Sequence, residues 1–278
     1  MKAGYYQYEP IFGQKKKNIN KVIDTLQNID ADLIVLPELF ATGYQVVSCE
    51  EVTELSEYVP QGCTTEALTE LSINNNMYIV AGLAEKCRDK VYNSAILTGP
   101  DGYIGRYRKT HLFFEEKLWF EPGDTGFEVF NTPVGCIGII ICFDWIFPES
   151  VRTLALKGAE VIAHPANLVL PHCPSAMSVR CLENRVFAIT ANRTGIEKRK
   201  DDQSLRFIGT SQIVAPDGSI LVRAPENDES LKIIEIMPEE AKNKALNPFN
   251  DLFVDRRPGM YKSIMDKVEG FKSGDKEE

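Results

Sequence analysis

Cys142, Glu38 and Lys109 are the side chains with which this sequence could do covalent chemistry. Cysteine is intrinsically nucleophilic once a neighbouring base or cation raises its thiolate fraction. Cys142 follows the apolar run Cys136-Ile137-Gly138-Ile139-Ile140-Ile141 and precedes Phe143-Asp144-Trp145 and a predicted helix. A strand-to-helix corner of this kind projects a nucleophile and leaves backbone N–H groups free for an oxyanion. Glu38 lies in Leu36-Pro37-Glu38-Leu39-Phe40 at the end of an apolar run. Loss of hydration there raises a carboxyl pKa toward the working range of a general base. Lys109 ends Tyr107-Arg108-Lys109-Thr110-His111, and a lysine held beside a nucleophile stabilises charge developing on a carbonyl oxygen. Each also has a plainer reading: an exposed glutamate after a strand, a solvated basic cluster, a core cysteine. His111 and His164 offer a Cys–His alternative, but neither carries a local signature.

These residues need elements to hold them. Lys2 to Tyr8 reads as a strand, and the apolar spacing over Lys15 to Ile29 is helical. Asp32 to Leu36 is a short continuous apolar run, the pattern of a strand buried on both faces. A second unit follows, with Thr65 to Asn74 helical and Tyr78 to Gly82 extended. Two stretches, 93–108 and 211–223, each run an apolar strand into Pro-Asp-Gly and out again, as β-hairpins do. Val134 to Ile141 forms a strand that stops at Cys142. Pro148 to Lys157 is a helix with proline suited to its first turn and Gly158 beyond its end. Val161 to Ala163 is a strand, Ser175 to Asn184 a helix, and Val186 to Ala191 a strand. Hairpins in both halves with βα units between them suggest two packed sheets covered by helices; the equal alternative is that Pro-Asp-Gly is merely a common turn. One domain over 1–264 with a charged tail over 265–278 is the expected organisation.

Composition narrows the function classes. The formal net charge of −9 opposes sequence-independent nucleic-acid binding, which needs a positive field. No apolar stretch approaches a membrane span and the N-terminus has no signal-peptide core, so the expected location is the cytoplasm. Seven cysteines without a CxxC pair read as thiols, and three histidines make a zinc site a poor fit. No Walker loop or GxGxxG fingerprint occurs.

Taken in order with their flanks, Glu38, Lys109 and Cys142 resemble the nitrilase superfamily of carbon–nitrogen hydrolases. The matching blocks are 36–40, 107–113, 141–144 with Phe147-Pro148-Glu149, His164-Pro165-Ala166-Asn167 and 207–211. The resemblance is greatest to short single-domain microbial nitrilases and amidases, and it implies an α/β fold, a four-layer α-β-β-α sandwich. It implies that Glu38 takes the thiol proton, Cys142 attacks, and Lys109 with the Phe143 backbone N–H holds the oxyanion. It adds Glu116 as a fourth catalytic residue, with Glu115 and Glu121 close by in sequence, and places Phe143, Trp145 and Asn167 at the substrate. Phe113, Phe114, Trp119 and Trp145 would suit an aliphatic or aromatic group, or else are core or dimer-contact residues, the preferred reading for any single one of them. No arginine follows the cysteine closely, which argues against a carboxylate-bearing substrate. The implied reaction is cleavage of a small amide, nitrile or N-carbamoyl compound through a thioester, without metal or organic cofactor, in a homodimer or larger homo-oligomer. Amidase-type activity is the preferred form; acyl transfer and non-catalytic binding are the alternatives.

Overall fold

The computed structural model describes residues 1–200 and 203–266; the expected tail over 265–278 lies outside these from 267 on. They fall into two compact units, Met1–Asn243 and a shorter one beginning at Lys244. The shorter unit carries the small antiparallel pair Ala245–Asn247 and Asn250–Asp251. Among the described residues no helix is long and apolar enough to cross a membrane.

The large unit is built on two sheets. The first runs Ser230–Glu235, Lys2–Gln7, Leu33–Val35, Tyr78–Cys87, Lys90–Gly99 and Gly102–Arg108. The second runs Ile220–Arg223, Gln212–Val214, Phe187–Ala191, Val161–Pro165, Gly135–Ile139 and Val129–Thr132. In both, three central strands are parallel and the outer pairings are antiparallel. Leu33–Val35 and Val161–Pro165 are buried throughout. That is the burial their unbroken apolar sequences require, because parallel strands are covered on both faces. The strands of the two sheets face one another, Lys2–Gln7 and Leu33–Val35 against Phe187–Ala191 and Tyr78–Cys87 against Val161–Pro165.

Helices close the outer faces. The apolar stripe Ile19, Val22 and Leu26 of Lys15–Leu26 packs with Leu68 and Leu71 of Cys63–Asn75 over Ile34, Ile79 and Ile96. Cys173–Asn184 lies on the second sheet, and Leu154 of Pro148–Leu156 approaches Gly138. The result is helix, sheet, sheet, helix: the four-layer sandwich. Both Pro-Asp-Gly hairpins form, pairing Lys90–Gly99 with Gly102–Arg108 and Gln212–Val214 with Ile220–Arg223. The strand expected to end at Gly82 instead continues to Cys87, because it pairs along its whole length with Lys90–Gly99.

This topology sets Glu38, Cys142 and Asn167 just beyond the carboxyl ends of parallel strands, where α/β sheets present ligands. Gly82 is needed for the first of these. A Cβ there would lie 2.5 Å from Glu38 Cα and 2.9 Å from Leu39 N, both backbone atoms. The Glu38 turn can close on its neighbouring strand only over a glycine. Gly82→Ala is therefore expected to leave the far-ultraviolet circular dichroism spectrum unchanged while lowering kcat/KM about 100-fold, the usual effect of misplacing a reacting group by roughly 1 Å. Full activity in that variant would show that the turn tolerates displacement.

Candidate active site

Three arms converge. The first is the turn after Leu33–Val35, in which Phe40 N–H donates to Gly82 O at 3.1 Å and Gly82 N–H donates to Pro37 O at 3.2 Å. Leu39 takes φ +48°, an uncommon conformation for a branched residue, and the turn projects Glu38 inward. The Glu38 carboxylate is fully buried. Its Oε1 accepts from Asn93 Nδ2 and from Lys109 Nζ, each at 2.7 Å. Its Oε2 has no hydrogen-bond partner and is free to take a proton. Burial pushes the carboxyl up to about 7, against the opposing field of Lys109 and with that of Glu116.

The second arm is the end of Gly102–Arg108. Lys109 N–H donates to Asn93 O at 2.8 Å and its carbonyl accepts from Gly123 N–H at 2.8 Å. Its side chain is fully buried, so the solvated-face reading fails for this residue. Nζ lies 2.7 Å from Glu38 and 2.8 Å from Glu116. Burial alone would lower its pKa, but Glu116 and Glu38 outweigh it and hold the group as ammonium. Of the neighbouring glutamates, Glu115 pairs with Lys200 and Glu121 with Lys90, leaving Glu116 on Lys109. Glu116 opens the short helix Glu116–Trp119 and also accepts from Tyr44 Oη–H at 2.7 Å and Phe113 N–H at 3.2 Å.

The third arm is the corner after Gly135–Ile139. Cys142 takes φ +40° and starts a 3-10 turn, Cys142–Ile146, rather than the α-helix, which begins at Pro148. The strained corner resembles a nucleophile elbow. Phe143 stands in the first turn of that helix, where the helix supplies its N–H no acceptor. Burial, with Glu38 adding to it, pushes the Cys142 thiol well above its ordinary value, and Lys109 opposes. Cys142 therefore rests as a thiol, and Glu38, at about 7, is divided between acid and carboxylate near neutral pH.

The histidines do not serve the thiol. His164 Nε2 is 3.0 Å from the Cys142 carbonyl, which can only accept, so Nε2 carries the hydrogen and Nδ1 accepts from Thr190 Oγ1 at 3.0 Å. Burial holds His164 down to about 4, hence neutral. His111 stacks on Phe147 with ring centroids 3.7 Å apart and gives its Nδ1 to Asp144 at 2.7 Å.

Asp144 ties the second and third arms together. It is fully buried, and its oxygens accept from Ile141 N–H at 2.9 Å, Tyr107 Oη–H at 2.8 Å and His111 N–H at 3.1 Å, besides the ring. Tyr107 and His111 flank Lys109, and Asp144 stands two residues after Cys142. One carboxylate thereby fixes the ammonium relative to the thiol. Sequence reasoning quoted Asp144 in a matching block but assigned it nothing, and it missed Asn93 and Tyr44. Those two lie far from any charged partner in sequence, and only strand pairing and loop closure reveal them.

Cys142, Phe143, Trp145 and Asn167 line one pocket with Phe113 and the segment 168–170. Asn167 donates Nδ2–H to Glu38 O at 2.9 Å, and its buried Oδ1 has no partner. Phe114 is instead largely exposed, and Trp119 packs beside Val46 and Val52, so neither lines the pocket. Among the described residues no group of three or more His, Cys, Asp or Glu is placed to hold a metal ion.

Comparison with known proteins shows the family and the fold. The sequence profile of the family described as carbon-nitrogen hydrolase matches residues 2–245. The chain is 48% identical to a nitrilase of Pyrococcus abyssi over 264 residues, 94% of this chain and 99% of that protein. It is 32% identical to an (R)-stereoselective amidase of a Pseudomonas species over 250 residues, covering 88% of this chain and 87% of the relative. The crystal structure of a carbon-nitrogen hydrolase from Helicobacter pylori superimposes with TM-score 0.87 at 27% identity, over 96% of this chain and 99% of that one.

The Asp144 link yields a direct expectation. Asp144→Asn turns one acceptor oxygen into a donor that must face N–H or O–H groups. The buried network loses a bond and kcat/KM falls at least about tenfold. The rate of Cys142 carboxamidomethylation should fall in parallel, and wild-type values for both would remove Asp144 from the account.

Proposed function

The chain belongs to the carbon–nitrogen hydrolase family, and from that premise we propose that it hydrolyses a small, uncharged amide or nitrile through a thioester on Cys142. The observation that carries the proposal is the buried Lys109 ammonium between Glu38 and Glu116, with the Cys142 thiol at the floor of the adjoining pocket.

Glu38 Oε2 takes the proton from Sγ as sulfur attacks the substrate carbon. With an amide, negative charge moves to the carbonyl oxygen, where Lys109 Nζ and the Phe143 N–H receive it. The protonated Glu38 then gives its proton to the departing nitrogen, ammonia leaves, and a thioester remains. Water enters, Glu38 takes its proton, hydroxide attacks the acyl carbon, and collapse returns the carboxylic acid and the free thiol. A nitrile joins the same path one addition earlier: sulfur adds across the triple bond, and water then gives the tetrahedral species that expels ammonia. Glu116 does not meet the reacting atoms in this scheme; it holds Lys109 in place. Asn167 Oδ1, buried and without a partner, is suited to accept an N–H of an amide substrate.

The pocket supports an apolar acyl group. Phe113, Phe143, Trp145 and the segment 168–170 supply its walls, and among the described residues no cationic side chain lines it to bind a carboxylate. The nitrilase and amidase relatives support the two nitrogen groups named, and an N-carbamoyl group with a neutral remainder meets the same chemistry.

Ammonia release should be measured over a panel of small aliphatic and aromatic amides, nitriles and N-carbamoyl compounds. At least one neutral apolar member should turn over, with hydroxylamine diverting product to the hydroxamate and quenched protein showing the acyl mass on the Cys142 peptide. Cys142→Ala should abolish release. Activity surviving in that variant, or an acyl group found on another residue, would refute the mechanism.

A further inference from the structure

A second chain of buried contacts runs into the ion cluster through Tyr44. Arg193 follows the Phe187–Ala191 strand, is almost wholly buried, and pairs with buried Glu197. Its guanidinium lies 4.0 Å from the ring centroid of Phe207. Glu197 does not serve the arginine alone. Its Oε2 also accepts the backbone N–H groups of Gln45 at 2.6 Å and Tyr44 at 3.1 Å. Gly43 makes this approach feasible: at φ +83° it bears no Cβ, and one built there would lie 2.9 Å from Glu197 Oε1. Tyr44, so anchored, packs edge-on to Phe207 and donates its hydroxyl to Glu116 Oε1 at 2.7 Å.

We infer that Glu197, held by Arg193, is a positioning residue for the Lys109–Glu116 pair, acting through the anchored backbone and the hydroxyl of Tyr44. The inference rests on the roles proposed above for Lys109 and Glu116. A buried ion pair is a weak source of stability, since apolar residues of the same volume often replace it without loss. Its value here is that one carboxylate fixes two amides in a turn, and with them the direction of the tyrosine. Tyr44 donates to Glu116 Oε1, and Lys109 Nζ lies 2.8 Å from both oxygens of that carboxylate, so the hydroxyl competes with the ammonium for Glu116. The titratable groups acting on one another here are Glu116, Lys109, Tyr44, Glu38 and Cys142. Burial keeps the Tyr44 phenol well above its ordinary pKa, so it remains a donor at any working pH. Without the hydroxyl, Glu116 claims more of Lys109 and Glu38 less. The Glu38 carboxyl then stays protonated to higher pH, and the thiol proton has no acceptor until that pH is reached.

The test needs no known substrate. Alkylation of Cys142 by iodoacetamide is followed against pH, by mass of the Cys142 peptide, in wild type, Tyr44→Phe, Glu197→Asp and the double variant. Tyr44→Phe deletes one oxygen and keeps the ring against Phe207. Glu197→Asp keeps the charge beside Arg193 and withdraws it by one methylene from the two amides. Each single variant should shift the rising limb to higher pH and slow alkylation at pH 7 about five- to tenfold, the net effect of one ordinary hydrogen bond. The double variant should be no slower than the slower single variant, as for two steps of one path. A Tyr44→Phe limb that superimposes on wild type, or effects that multiply in the double variant, would overturn the inference. Should Glu197→Asp not fold, the Tyr44→Phe limb decides alone. The Cys142→Ala ammonia assay separates the two readings: activity surviving there defeats the proposed mechanism, whereas its loss alongside an unchanged Tyr44→Phe limb defeats only the positioning role.

Discussion

An ammonium group that has lost its water must find negative charge, and Lys109 finds two carboxylates. The Glu38 and Glu116 oxygens stand within 2.8 Å of Nζ, and none of the three side chains has appreciable access to solvent. Stripping one partner from such a buried set costs about 3–5 kcal/mol, because the charge left behind is uncompensated. The three therefore behave as a unit. Two anions around one cation leave an excess of negative charge, and that excess has chemical consequences. Burial, with that excess adding to it, keeps the Cys142 thiol protonated, and burial also holds Glu38 near neutrality. In the proposed mechanism one lysine adjusts nucleophile and base together.

The scaffold supplies the distances that this unit needs. Both sheets end their parallel strands at the same cleft, so Glu38 and Cys142 arrive from opposite layers without long connections. Two residues of these arms, Leu39 and Cys142, take positive φ, a conformation costing on the order of 1–3 kcal/mol each that persists only where the surroundings over-determine it. The surroundings do so with hydrogen bonds to backbone: His164 on the Cys142 carbonyl, Asp144 on Ile141 N–H, Asn167 on the Glu38 carbonyl. Polar groups that look like spare catalysts in the sequence turn out to hold the chain in shape. His164 is the clearest case, a buried neutral imidazole whose tautomer is fixed by the carbonyl it serves.

Much of this was legible in the residues, and what was not has a physical reason. Apolar runs such as Leu33–Val35 and Val161–Pro165 declare buried parallel strands, and Pro-Asp-Gly declares its two hairpins. The pairing of two sheets follows from those elements, whereas the order of strands within each sheet does not. Cys142 and Glu38 could be placed at strand ends by local pattern, yet neither could be separated there from a core cysteine and an exposed glutamate. Family resemblance did that. Lys109 carried no local sign of burial, since its neighbours Arg106 and Arg108 look equally solvated in sequence. In the fold both arginines pair with Glu85, Arg108 itself buried, while Lys109 beyond the strand end reaches Glu38 and Glu116. Asn93 and Tyr44 were invisible, because their partners lie 55 and 72 positions away. Phe113, Phe114, Trp119 and Trp145 could not be divided by sequence into pocket wall and core, because an aromatic residue near a site in sequence is as easily rim or core as wall; Trp119 packs against the core and Phe114 is exposed.

The central claim is that burial against Lys109 and Glu116 makes Glu38 a base poised near neutral pH. Carbon-13 NMR of protein labelled at the glutamate δ-carbon, with Glu38 assigned by comparison with Glu38→Gln, reads that carboxyl directly. The account predicts a titration midpoint at about 7. A midpoint in the ordinary carboxylate range of about 4 would contradict it, because Glu38 would then be too weak a base to take the thiol proton.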